Sequence, residues 1–385
     1  MCIRDSLLPG LHPNTLAAII AQTALSDNGK AMLIIGMASA NIIASFILAI
    51  FFGVPDENTV LNILPGQRMT LAGKGLTAMR IVLFSAILTS IISILLFVPS
   101  LDLFPLIYEN IKDYIKYIVL SLAFFMIIRS KNPFYALVIF LAAGFLGYYS
   151  LHAKLNDPFL PLFSGMFAIA SLLTITKTKI PKQKKEEILE FETVPWIICG
   201  VILGFLAVML PGISSAAQIA SFASAFVFLE TTSYLALITS ISVSQVVFSF
   251  STIATINKAR IGTTAWASQF VNIAEDPLFF ALLFVFGVLA ASFLLYLLRY
   301  KITKIAVLNS EKIAFLLIAY LFFICFVIDG LNGILIMSLS SILGWLTIRL
   351  NVERTQLMGA IIIPVSYTHL RAHETPEHLV CRLLL

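Results

Sequence analysis

Apolar runs fill most of this chain, and its polar positions gather between them. Read from the N-terminus, the runs cover 11–25, 31–53, 79–98, 114–129, 132–151, 157–175, 194–210, 213–229, 234–256, 278–298, 313–329, 331–349 and 355–365. Most approach the roughly 17–25 residues that a helix needs to cross bilayer hydrocarbon, with 11–25 and 114–129 short for full crossings. They lack the polar face of a helix that packs on a water-soluble core. Pro211-Gly212 divides 194–210 from 213–229, which become two segments or the arms of one hairpin. The pattern predicts an all-α, polytopic transmembrane helical bundle.

Composition sharpens that reading. Of 385 residues, 59% are hydrophobic and 12% charged, with a mean hydropathy of +0.99. Soluble domains carry about 25% charged residues. The net charge of +5 comes from basic residues in short loops, a pattern of membrane orientation rather than nucleic-acid binding. Cys2, Cys199, Cys325 and Cys381 stand far apart, without metal-ligand spacing. No cofactor, metal or catalytic residue is expected. The most basic loop, "TKTKIPKQKK" (176–185), is expected in the cytoplasm by the positive-inside rule. Counting from it puts "RSKN" (129–132), "RYKITK" (299–304) and the loop 54–78 on that side. It puts "SLDLFPLIYENIKD" (100–113), read as a loop, and 257–277 on the other.

Both ends depart from the rest. "MCIRDS" and the tail "SYTHLRAHETPEHLVCRLLL", with His369, His373 and His378, look like translated sequencing-adapter read-through rather than a histidine-rich metal site. The expected organisation is an adapter remnant at 1–6 and a first transmembrane repeat at 7–176 lacking its opening helix. A basic cytoplasmic linker at 177–193, a shortened second repeat at 194–364 and a second remnant at 365–385 follow.

The repeat shows in the motifs. "LLPGLHPNTLAAII" (7–20) and "MLPGISSAAQIASFASAF" (209–226) both carry Leu-Pro-Gly, small polar residues and an apolar helix. "NPFYALVIFLAAGFLGYYSL" (132–151) resembles "NGILIMSLSSILGWLTIRL" (332–350), again about 200 positions apart, and 57–78 loosely parallels 250–269. An odd number of crossings per copy makes the second copy inverted. Inverted repeats with Gly/Pro-broken segments at matching places point to a secondary-transporter site. Proline removes an amide donor and glycine loosens the backbone. The helix that restarts offers free N–H groups and a positive dipole end to a carboxylate. The candidate substrate residues are Pro9, Gly10, His12, Asn14, Thr15, Pro211, Gly212, Ser214, Ser215 and Gln218; the competing reading is a capped proline kink.

A second polar island, "GVPDENTVLNILPG" (53–66), holds Asp56, Glu57, Asn58 and Thr59. They could bind a coupling cation, H+ or Na+, or form a solvated loop in which Asp56 caps a helix. Gln245, Thr252, Thr255 and Asn257 read as hydrogen bonding at a helix interface. His152, Asn156 and Asp157 read as an outer loop.

These motifs, in this order, resemble the large permease subunit of tripartite tricarboxylate transporters, the TctA type, in a divergent, archaeal-like branch. "PGLHPNT" and "PGISSAAQ" replace the more glycine-rich family forms. The resemblance implies cation-coupled uptake of a small di- or tricarboxylate across the cytoplasmic membrane. It also implies a small membrane subunit and an extracytoplasmic solute-binding protein as partners. The rival is a membrane-embedded polyprenyl-pyrophosphate phosphatase, since "PGISSA" looks like a degraded form of that enzyme's motif. Neither Pro-Gly motif contains the arginine such an enzyme needs to clamp phosphate. A passive channel would need a continuous polar stripe or charged ring, and none is visible.

Overall fold

The computed structural model describes residues 17, 20, 23–52, 63–111, 114–173, 181–184, 191–209, 216, 219–220, 229–259, 261–306 and 310–364. All regular structure among them is helical. In chain order the main helices are α1 (Asp27–Phe52), α2 (Ile63–Leu71), α3 (Gly75–Leu95), α4 (Phe97–Ile111), α5 (Ile115–Arg129) and α6 (Pro133–His152). Next come α7 (Phe159–Phe163), α8 (Val194–Ala207), α9 (Thr231–Ile256), α10 (Gly262–Ala267), α11 (Pro277–Ala306) and α12 (Ser310–Arg349). α7 continues through a π-helical turn, Ser164–Ile169, into Ala170–Leu172, and α12 bends at Gly330 (φ 65°, ψ −152°). Among the described residues six helices are long and apolar enough to cross a membrane: α1, α3, α6, α9, α11 and the Ile318–Arg349 part of α12. The chain is a multi-pass, all-α membrane protein.

Local chemistry sets the helix ends. Pro133 opens α6, where its missing donor costs nothing. Asn257 (φ 51°) ends α9 in the left-handed conformation, letting the Lys258 amide donate back to Thr252 O. Gly73 (φ 80°) does the same after α2, where the Lys74 amide donates to Met69 O at 2.7 Å. The stretch 100–113, expected as a loop, is mostly the helix α4 with Pro105 inside it. Proline removes only one donor, and Phe104 holds the helix by stacking on Phe205 (4.3 Å between centroids) and meeting Phe248 edge-on.

α9 lies at the centre and is buried from Ser233 to Ile253. Its neighbours fix its direction. The Thr89 hydroxyl donates to Ser240 Oγ (2.8 Å), Ser100 and Ser251 Oγ lie 2.9 Å apart, and Lys258 Nζ donates to the Tyr108 hydroxyl. Both sets of numbers climb together, so α3 and α4 run parallel to α9. Gly200 and Gly204 of α8 meet Ser240 and Ser244, so α8 is parallel too. The end of α1, in contrast, meets the start of α3: Thr70 Oγ1 donates to Ile50 O at 2.8 Å, and Gly75 lies against Phe51. α1 is therefore antiparallel to α3, and so to α9. α11 runs with α1, because Lys30 Nζ lies over Phe270, which precedes α11, while Ser39 meets Gly287 within it.

Contacts are reciprocal between the halves. α1 packs on α11 as α9 packs on α3. Gly165 meets Met337 and Ser340 while Gly344 meets Met166 and Ala170; on the other side Gly144 and Gly147 meet Ile363 and Ala360 while Gly359 meets Phe140. Glycine at these points lets backbones approach without a side chain between them, as in other membrane helix seams.

The connections sort onto two faces. On one, the Lys184 amide donates to Gly73 O and Gln183 bridges Gly75 N and Thr70 O. Gln356 Nε2 reaches Met126 O at the far end of α5. On the other, Lys30 meets Phe270, Lys258 meets Tyr108, and Asn156 and Asp157 meet Asp329. Each contact joins loops that the crossing count assigns to the same side. The first face carries Lys74, Lys182, Lys184, Arg299, Lys301 and Lys304. The second carries Asp27, Glu109, Asp157, Glu275, Asp276 and Asp329 among fewer lysines.

Candidate functional site

The two Leu-Pro-Gly motifs each lead into helix. Ala17 and Ile20, following the first, are helical and buried, at 1% and 7% exposure; Ala216, Ile219 and Ala220, following the second, are likewise helical and buried. The motif residues themselves (Pro9, Gly10, His12, Asn14, Thr15, Pro211, Gly212, Ser214, Ser215 and Gln218) lie outside the described residues, as do Asp56, Glu57, Asn58 and Thr59.

The second motif is flanked by α8 and α9. α9 is unusually rich in buried polar groups: Thr239, Ser240, Ser242, Ser244, Gln245, Ser249, Ser251 and Thr252. Most of these hydroxyls bond back to their own helix. Thr239 donates to Leu235 O, Ser242 to Ile238 O, Ser249 to Val246 O and Thr252 to Ser249 O. Such bonds satisfy a hydroxyl in a dry interior. Thr252 and Thr255, read as hydrogen bonding at a helix interface, instead bond within their own helix and its C-terminal turn, Thr252 to Ser249 O and Lys258 O and Thr255 to Ser251 O. Across the seam, Ser85 and Ser93 Oγ on α3 are buried without a hydrogen-bond partner among the described residues, one turn either side of Thr89.

After the first motif, the described residues Ala17 and Ile20 pack against α1 and α10. Ala17 and Ile20 form a separate cluster with Ile34 and Met37 of α1, and Trp266 and Phe270 pack against it. The Trp266 Nε1–H is buried without a partner among the described residues. Lys30 lies beside this cluster, its side chain only 14% exposed and its Nζ 5.3 Å from the Phe270 ring centroid. Neither Lys30 nor Trp266 stood out in the sequence. One is a lone lysine near a helix start and the other a lone aromatic, and only packing brings them to the same place.

A third polar cluster joins the halves on the acidic face. Asp329 Oδ1 accepts from the Asn156 and Asp157 amides, both at 2.9 Å, and Asn156 Nδ2 donates to Ile328 O at 2.6 Å. Asp157 in turn accepts from the Phe159 and Leu160 amides, capping α7. The 152–157 loop thus holds α7 and α12 together; His152 is tied to Tyr148 O at 2.8 Å. Asp329 also went unremarked in the sequence, since an acid after an apolar run reads as a loop. Among the described residues no group of three or more His, Cys, Asp and Glu could hold a metal ion. On the basic face, burial pushes the Arg354 guanidinium down to about 10, which leaves it charged at neutral pH.

The all-α fold and its six long apolar helices define a multi-pass helical membrane protein. Residues 5–359 match the Tripartite tricarboxylate transporter TctA family, and the chain belongs to that family. It is also similar to an uncharacterized protein of Methanocaldococcus jannaschii, 28% identical over 385 residues, covering 95% of each chain. No solved structure matches it.

Proposed function

We propose that the protein is the permease of a cation-coupled importer for a small di- or tricarboxylate. The observation that carries this reading is the antiparallel course of α1 and α9, which follow the two Leu-Pro-Gly motifs at equivalent places in the chain. That relation supports two inverted repeats, each bringing a broken helix to a shared site. Asn14 and Thr15 of one motif and Ser214, Ser215 and Gln218 of the other would then hydrogen-bond the ligand. His12 would lie beside them, and the backbone freed at Pro9-Gly10 and Pro211-Gly212 would supply N–H groups. Asp56, Glu57, Asn58 and Thr59 are the proposed coupling residues, for H+ or Na+. The basic face faces the cytoplasm by the positive-inside rule, which places the 176–193 stretch inside. Family membership supports a small membrane subunit and an extracytoplasmic solute-binding protein as partners.

The test is uptake of labelled citrate and succinate into proteoliposomes under imposed proton and sodium gradients, with and without co-reconstituted partners. Gradient-dependent accumulation of either acid is expected. Hydrolysis of polyprenyl pyrophosphate by the purified protein, without uptake, would replace this reading with the phosphatase one.

A further inference from the structure

We infer that Lys30 and Trp266 form an anion-binding mouth beside the first Leu-Pro-Gly helix, with a small carboxylate as ligand; this rests on the transport reading above and adds residues it did not contain. Three observations meet here. The Trp266 Nε1–H is buried and has no partner among the described residues, although a buried indole N–H normally finds one. An indole can only donate, so the missing partner is an acceptor. Lys30 is only 14% exposed along its side chain, where a lysine ordinarily keeps its ammonium in water. Trp266 and Phe270 both pack on the cluster containing Ala17 and Ile20, which closely follow Asn14 and Thr15 in the chain, and Lys30 lies over the Phe270 ring.

The partners already present leave Lys30 poorly neutralised. Asp27 Oδ1 is 3.8 Å away, and its side chain is 70% exposed. Water competes for such a carboxylate, and the contact contributes little. The Phe270 ring at 5.3 Å stabilises a cation without neutralising it. An entering carboxylate would gain a charge-assisted bond from the ammonium and a second bond from the indole. The other half does not repeat this pairing. Counted from the helix starts, the α9 position equivalent to Lys30 is Tyr234. The cation therefore marks one face only, the acidic face with fewer lysines, and would hold an anion against that background before it reaches the broken helices.

The experiment uses the full chain in nanodiscs. The protein has three tryptophans, so Trp196→Phe with Trp345→Phe leaves Trp266 as the sole emitter. Citrate and succinate are titrated separately at matched ionic strength, with sulfate as the comparison anion. A saturable change in Trp266 emission with a carboxylate, absent with sulfate, is expected. Lys30→Gln should raise the half-saturating concentration roughly ten- to hundredfold, the range for losing a hydrogen bond to a charged group. Trp266→Phe, read by calorimetry, should weaken binding about tenfold. The mouth is ruled out if the parent binds a carboxylate by calorimetry while Trp266 emission stays flat and both variants bind like the parent; the transport reading then stands. An equal response to sulfate contradicts the carboxylate assignment. A parent that binds neither acid overturns both the mouth and the reading beneath it.

Discussion

The Thr89 hydroxyl donates to Ser240 Oγ across 2.8 Å, joining α3 of the first half to α9 at the centre of the second. Ser240 donates in turn to Ala236 O, so the pair forms a short hydrogen-bonded chain in a dry seam. The Ser100–Ser251 pair repeats the contact further along in the same direction. Thr89 lies on α3 and Ser100 on α4, so both helices run parallel to α9, a direction that supports the proposed inverted arrangement of the halves.

The topology can be read by labelling. Gly73 sits at a positive φ of 80°, where a cysteine would be strained, so the exposed Ala72 is the better probe of that loop. Ala274, exposed before α11, probes the opposite loop. In a background without the native cysteines, Ala72→Cys and Ala274→Cys should react with an impermeant maleimide from opposite sides of the membrane. Reaction from one side would remove the inverted arrangement.

The seam itself should show coupling. Thr89→Val and Ser240→Ala should each destabilise the protein in detergent, and the double variant should cost less than the two added together. A coupling of about 0.5–1 kcal/mol is the size such bonds reach in membrane proteins. Strict additivity in thermal or denaturant unfolding would mean the bond contributes nothing.

Close approach at Gly204 makes a sharper demand. A Cβ there runs into Ser244 Oγ. Gly204→Ala should cost about 1–3 kcal/mol by overpacking, and adding Ser244→Ala should recover part of that by removing the obstructing oxygen. A Gly204→Ala variant as stable as the parent would contradict the α8–α9 packing.

The Asp329 clasp should matter on the acidic face. Asp329→Ala removes the acceptor for the Asn156 and Asp157 amides and should lower stability by about 1 kcal/mol, with Asp329→Asn falling between variant and parent. Proteolysis within 153–157 should quicken in the same order. Unchanged cleavage would show that the bonds do not hold the loop.

Much of the helical layout was legible because hydrocarbon length leaves a strong mark. The expected 331–349 and 132–151 lie within a residue or two of observed helix ends. α1 and α9 begin three or four residues earlier than read, because their first turns carry Asp27, Lys30, Thr231 and Ser233, polar side chains that interrupt the apolar pattern used to place the runs. α11 runs on past Arg299, Lys301 and Lys304 for a related reason, since long basic chains can extend from a helix end toward water. α4 was hidden by Pro105 and its acids, and its helicity depends on Phe104 packing against residues far along the chain. Lys30, Trp266 and Asp329 were out of reach for the same reason: each gains meaning from a neighbour that no local pattern reveals. The broken motifs stood out because proline and glycine act through the local backbone.

The central claim is that the two Leu-Pro-Gly motifs bind one carboxylate together. The most direct test compares citrate and succinate uptake in proteoliposomes by the parent and by the Asn14→Ala, Ser215→Ala double variant at equal membrane abundance. Losing a hydrogen bond to a charged group costs about 1.5–3 kcal/mol, so the apparent substrate constant should rise by ten- to a hundredfold or more. Equal uptake by the double variant and the parent would contradict the claim and leave the motifs as structural kinks.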